Sequence, residues 1–248
     1  MTYVPKVYKD RGGDRLLVVA GGDLDLTALV HLSDDFLGDV LADPWSGRVG
    51  SDPQCVAPAI NVQVGGVARL VTGDDAAGSM AVNGVQLESV LNWRANNGGL
   101  VFEARLKVDA ITAVALFAGL TDQAAALELP FQLAGGDALT SNASDAVGFL
   151  FDTNADTDQI WLVGVAADVD ATKQNAAVAP VAATYITLRV EISSTGVATF
   201  FINGAPIGSA MAAAVTAATA LTPVIAACAR GAASRTVDVD YVRVQQNR

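Results

Sequence analysis

The sequence predicts an all-β protein, a two-sheet antiparallel jelly-roll sandwich with an extended N-terminal arm. Three observations carry the prediction. Apolar and polar residues alternate with period two along several segments, Leu100–Val108 and Tyr185–Ile192 most clearly, and a helix cannot share that period. Turn signals recur about every 8–12 residues, the spacing of sandwich folds. Asp outnumbers Glu by 22 to 4, and Asp favours turns and strand ends where Glu favours helices.

The elements follow in order. Residues 1–14 are polar and read as an extended arm. Arg15 to Ala20 is a short apolar run, closed by Gly21-Gly22, and Leu24 to Val30 alternates as a second strand. Asp34 to Ala42 suits a short helical turn, stopped by Asp43-Pro44. Ile60–Val64 and Val67–Val71 flank Gly65-Gly66 as a hairpin. Ile111 to Leu120 is almost wholly apolar, a strand buried on both faces. Val147–Phe151 and Gln159–Val165 bracket a polar loop. Val197–Ile202 leads into Asn203-Gly204, a pair that tolerates the positive φ of a tight hairpin. Ala210 to Leu221 is rich in alanine, but threonines interrupt it between two hairpins, so it reads as loop or irregular strand. Val224–Ala229 and Thr236–Val244 close the chain. Residues 1–32 then form the arm with its short strands, and residues 33–248 form one sandwich domain.

Composition excludes several functions. The 248 residues carry a net charge of −11 with 15 basic side chains, which leaves no basic face for nucleic acid or for an anionic membrane. No apolar run reaches the length of a membrane span, and the first residues lack the apolar core of a secretory signal. Cys55 and Cys228 read as reduced, buried small hydrophobes.

Candidate chemistry is sparse. His31 is the one histidine, and no nucleophile motif accompanies it. Glycoside hydrolysis needs two carboxyl groups flanking the scissile bond. The glutamates Glu88, Glu103, Glu128 and Glu191 are far apart along the chain, and the close pair Asp238 and Asp240 reads as the solvent-facing start of the last strand. Asp152-Thr153-Asn154-Ala155-Asp156-Thr157-Asp158 could chelate calcium, but it lacks the glycine and distal glutamate of an EF-hand and reads better as a polar hairpin tip. Trp45, Trp93 and Trp161 could stack on sugars or pack in the core. No cofactor or metal is expected.

The C-terminal quarter resembles a known superfamily. Phe200-Phe201-Ile202-Asn203-Gly204 and Asp240-Tyr241-Val242-Arg243-Val244 look like motifs of the concanavalin-A-like lectin/glucanase jelly roll. That resemblance implies the fold, while the missing row of carboxylates departs from its hydrolase branch. The opening Tyr3-Val4-Pro5-Lys6-Val7-Tyr8-Lys9-Asp10-Arg11, the segments Gly98–Leu106 and Asp145–Thr153, and the ending Val244–Arg248 are similar to structural proteins of tailed bacteriophages. This second resemblance implies a non-enzymatic virion protein on the capsid surface, made in the host cytoplasm. It would decorate and reinforce the phage shell, binding the major capsid protein, as a homo-oligomer. Its contacts would be Tyr3, Val4, Lys6, Val7, Tyr8, Lys9, Arg11 and Arg15 of the arm. Two alternatives stand behind that expectation: a carbohydrate-binding module of a phage fibre, and a glycoside hydrolase.

Overall fold

The computed structural model describes residues 29–61, 65–76, 78–90, 92–123 and 126–248. The eight arm residues expected to make contacts, Tyr3 to Arg15, lie outside them. Eighteen strands were assigned among the described residues: β1 (Leu29–Asp34), β2 (Ser46–Val49), β3 (Val56–Ile60), β4 (Ala68–Val71), β5 (Gly84–Glu88), β6 (Leu100–Val108), β7 (Val114–Thr121), β8 (Phe131–Ala134), β9 (Ala138–Ser141), β10 (Ala146–Asp152), β11 (Trp161–Ala166), β12 (Val169–Asp170), β13 (Gln174–Asn175), β14 (Ile186–Ile192), β15 (Ala198–Ile202), β16 (Ala205–Met211), β17 (Thr222–Ala229) and β18 (Thr236–Asn247). One helical turn, α1 (Met80–Asn83), precedes β5.

Two antiparallel sheets face each other. One runs β16-β15-β14-β6-β18-β4-β3, with β1 also paired to β18. The other runs β12-β11-β10-β7-β17-β5-β2, with β13 also paired to β11. The all-β sandwich is therefore as the alternation predicts. The strands of the first sheet show why: β6 buries every second residue, and β14 does the same. Their inward sets, Leu100, Phe102, Ala104, Leu106 and Ile186, Leu188, Val190, Ile192, meet Leu116, Ala118, Phe149 and Ile225 of the second sheet. Burying each leucine, isoleucine, valine or phenylalanine of this set stabilises by about 1.5–3 kcal/mol.

The second sheet is apolar on both faces, so β7, β10 and β17 are buried throughout. Its outer face is roofed by the β8–β9 hairpin. Leu129, Phe131 and Leu133 pack there on Phe117, Leu150, Trp161 and Cys228 as a second core. Gly119 and Gly148 face each other across β7 and β10, and a Cβ on either would meet backbone within 2.4 Å. The Phe117 ring end lies over both. We call this the covered sheet, and the other the open sheet.

Two local readings change. Residues 34–42 do not form a helical turn. The Asp34 carboxylate accepts the Phe36 amide at 2.8 Å, Phe36 turns to φ +52°, and its ring packs on Trp45 with centroids 5.8 Å apart. Burial of one aromatic ring thus decides against helix propensity. The last strand is also interrupted: its register on β6 shifts between Val239 and Tyr241. This bulge sends Asp238, Asp240 and Tyr241 all towards the outer face of the open sheet, where each is bonded.

Candidate functional site

The outer face of the open sheet carries the exposed chemistry. Outward positions alternate with core positions, so β6 presents Glu103, Arg105 and Lys107, and β14 presents Thr187, Arg189 and Glu191. Phe201 comes from β15, Arg69 from β4, and Asp238, Asp240, Tyr241 and Arg243 from β18.

Register brings carboxylates together that the chain keeps apart. Glu103 lies directly opposite Arg189, which puts Glu191, two residues on, at the diagonal position. Diagonal neighbours on paired strands lie about 7–8 Å apart, and long side chains reach across that gap. Arg189 stands between the two glutamates, ion-paired to Glu191 and 5.1 Å from the Phe201 ring centroid. On the other side of β6, Arg243 is opposite Glu103 and lies 5.1 Å from the Tyr241 ring centroid. The Tyr241 hydroxyl donates to Glu103 at 2.8 Å. Burial first, then the Glu103 carboxylate, pushes the Tyr241 phenol up to about 12.

Three half-buried aromatic rings stand on this face: Phe201, Tyr241 and Tyr185, which precedes β14. Arg105 lies 4.2 Å and Lys107 4.7 Å from the Tyr185 ring centroid, a cation–π arrangement that fixes the ring. Arg105 also pairs with Asp240 at 2.5 Å. Asp238 receives a two-pronged bond from Arg69 at 2.7 and 2.9 Å, with Lys107 3.4 Å away. Burial alone would raise the Asp238 carboxyl, but the Arg69 bonds and charge, with Lys107, outweigh it and hold it below the ordinary Asp value. A depression of about 250 Å³ opens beside this pair.

Sequence reasoning placed several candidates differently. Asp238 and Asp240 are not a free solvent-facing pair; each is held by an arginine. Reading glutamates by distance along the chain missed Glu103 and Glu191, whose proximity depends on β6–β14 pairing. Their signal was present in the two clearest alternating strands, each with charge on its polar face. Asp152 of the candidate calcium loop is fully buried, and its oxygens accept from Arg230 Nε and Nη2 and from the amides of Leu133 and Asn154. Those four bonds occupy it, and no group of three or more metal-ligating side chains occurs among the described residues. Glu88, on the covered sheet, is likewise buried under Arg48 at 2.7 Å, with Gln86 at 2.6 Å. His31 lies exposed on β1. Trp45, Trp93 and Trp161 are all buried, so none is a stacking platform. Cys55 and Cys228 are both free thiols, and burial pushes Cys228 up to about 11.

Comparison with known proteins places the fold. No protein-family model matches the chain, and no curated protein matches it. Among solved structures, a Bacillus licheniformis β-glucanase aligns with TM-score 0.58 at 11% identity, over 86% of this chain and 97% of that one. An endo-1,3-β-glucanase from Streptomyces sioyaensis aligns with TM-score 0.55 at 13% identity, over 88% and 96%. The carbohydrate recognition domain of Emp47p aligns with TM-score 0.56 at 10% identity, over 90% and 98%. Nothing in these comparisons links the chain to a bacteriophage capsid. The expectation of a non-enzymatic shell protein is therefore corrected: the solved structures that share this fold are mostly glycoside hydrolases. At these identities the likeness establishes architecture alone, and the chain has the concanavalin-A-like jelly-roll fold.

Proposed function

We propose that the protein is a glycoside hydrolase that lays a β-glucan chain across the open sheet, with Glu103 and Glu191 as its carboxyl pair. One observation carries the reading. These two glutamates share the outer face of adjacent strands at diagonal register positions, a spacing that long side chains can bridge, as a hydrolytic carboxyl pair requires. Phe201, Tyr241 and Tyr185 supply apolar ring faces for stacking, and the arginines around them supply hydrogen bonds to sugar hydroxyls. The β-glucanases that share the fold support glucan as the substrate class.

The roles follow from the surroundings. Glu103 accepts from Tyr241 and lies between Arg189 and Arg243 across the paired strands, which orients its carboxylate on the open face. It acts as nucleophile or as base towards water. Glu191 takes up a proton from solvent when sugar hydroxyls replace it on Arg189, and passes that proton to the departing glycosidic oxygen, while Glu103 takes one from the attacking water. The bond between the anomeric carbon and that oxygen breaks, a bond to the water oxygen forms, and one water is consumed per cleavage. The test is release of reducing ends from mixed-linkage β-glucan. Glu103→Gln and Glu191→Gln should each abolish release while retaining glucan binding. A wild-type protein that releases none from mixed-linkage or β-1,3-glucan overturns the reading.

A further inference from the structure

The geometry points to a second element of that face: the depression beside Arg69 and Asp238 is a subsite for one neutral sugar ring. This inference rests on the open sheet being the glycan-binding face. The depression, of about 250 Å³, is lined by Arg69, Lys107, Asp109, Ala183, Thr236 and Asp238. Its four charged side chains sum to zero, so it has no net attraction for an ion. It instead offers the Lys107 ammonium as donor, carboxylate acceptors from Asp109 and Asp238, and the Thr236 hydroxyl. Alternating donors and acceptors complement adjacent ring hydroxyls, each of which both gives and accepts a hydrogen bond.

The groups are fixed before any ligand arrives. Arg69 is forked onto Asp238 by two bonds, which fixes the carboxylate and the wall of the depression on that side. Lys107 is held between Asp238 and the Tyr185 ring. Asp109 accepts the amides of Ala110 and Thr236 through Oδ1, at 2.8 and 3.0 Å, and Oδ2 takes no part in those bonds. Preorganisation of this kind lowers the ordering cost of binding. Tyr185 joins the depression to the glutamates: Lys107 and Arg105, consecutive outward residues of β6, both lie over its ring, and Glu103 is the next outward residue on the same strand. A sugar in the depression and a bond at the glutamates therefore lie along one strand, as a polysaccharide chain requires.

The test uses calorimetric titration of the full-length protein with mixed-linkage gluco-oligosaccharides, and with an oligouronate as the charged counterpart. The wild type should bind the neutral chain with an affinity that a tenfold rise in salt leaves unchanged, since no net charge is neutralised. Ala183→Trp, which adds bulk to the lining, should weaken binding about tenfold or more, with its melting curve read alongside because Ala183 lies at φ +55°. Lys107→Ala, which opens it, should weaken binding severalfold with thermal melting nearly as in the wild type. Wild-type affinity for the neutral chain in both variants would overturn the subsite and leave the hydrolase reading standing. Tighter, salt-sensitive binding of the oligouronate would overturn the neutral class. Binding of neither chain would overturn the subsite together with the reading it rests on.

Discussion

Tyr241 reaches from the last strand to Glu103 on β6 and donates its hydroxyl at 2.8 Å, with Arg243 over its ring. The pair makes a prediction that needs no substrate. In an ultraviolet titration one of the four tyrosines should ionise near 12, above the ordinary value of 10.0. Glu103→Gln should bring that titration down, because it removes the negative charge that opposes phenolate formation.

The same bond bears on turnover. Tyr241→Phe removes the hydrogen bond that holds the Glu103 carboxylate in place, so kcat should fall with KM little changed. The rate at its optimum should fall about tenfold, within the range for losing one hydrogen bond to a charged group. A rate equal to that of the wild type would remove the Tyr241–Glu103 bond from any part in turnover.

Arg230 and Asp152 are paired in the covered sheet, with side chains 8% and 0% exposed and Nη2 2.5 Å from the carboxylate. Arg230→Met leaves a buried carboxylate without its counter-ion and should destabilise the fold by about 3–5 kcal/mol in urea denaturation. The double variant Arg230→Met/Asp152→Leu should recover part of that loss. Adding calcium should leave the melting temperature unchanged, since Asp152 is already occupied by protein donors.

Asp238 sets an acid-side dependence of stability. Its folded carboxyl lies below the ordinary value of 3.8, so the unfolded chain binds its proton first as pH falls. Its contribution is complete above 3.8 and is lost as pH drops through the lower folded value. Asp238→Asn should flatten the decline of stability across that window. An unchanged slope would show that Arg69 and Lys107 do not govern this carboxyl.

The tryptophans give a spectroscopic check on which face binds. All three are buried and stand away from the open face, so their emission should be blue-shifted and resist acrylamide quenching. Saturating glucan should leave that emission unchanged. A large shift on glucan addition would favour a site in the covered sheet, near Trp161.

The strands of the open sheet were legible in sequence because one face is wet and the other dry. Leu100–Val108 shows that alternation residue by residue and forms β6 with those limits. The turn at Asn203-Gly204 was equally plain, and both residues take positive φ, 51° and 79°. β5 was hidden for the opposite reason: Gln86 and Glu88 are as buried as Val85 and Leu87, satisfied by each other and by Arg48, so polarity no longer marks the surface. The β8–β9 hairpin is too short to show a period. The two glutamates were legible as polar-face residues of alternating strands, but their diagonal placement comes only from the β6–β14 register, and the Tyr241 geometry only from a bulge. Pairing between distant strands is a tertiary fact, and no spacing along the chain encodes it.

The most direct test is a structure of Glu103→Gln soaked with a mixed-linkage tetrasaccharide. Sugar rings should lie across β14, β6 and β18, with one glycosidic oxygen beside Glu191 and stacking on Tyr241 or Phe201. A sugar bound under the β8–β9 roof, or an open sheet that stays bare at saturating ligand, would contradict that placement.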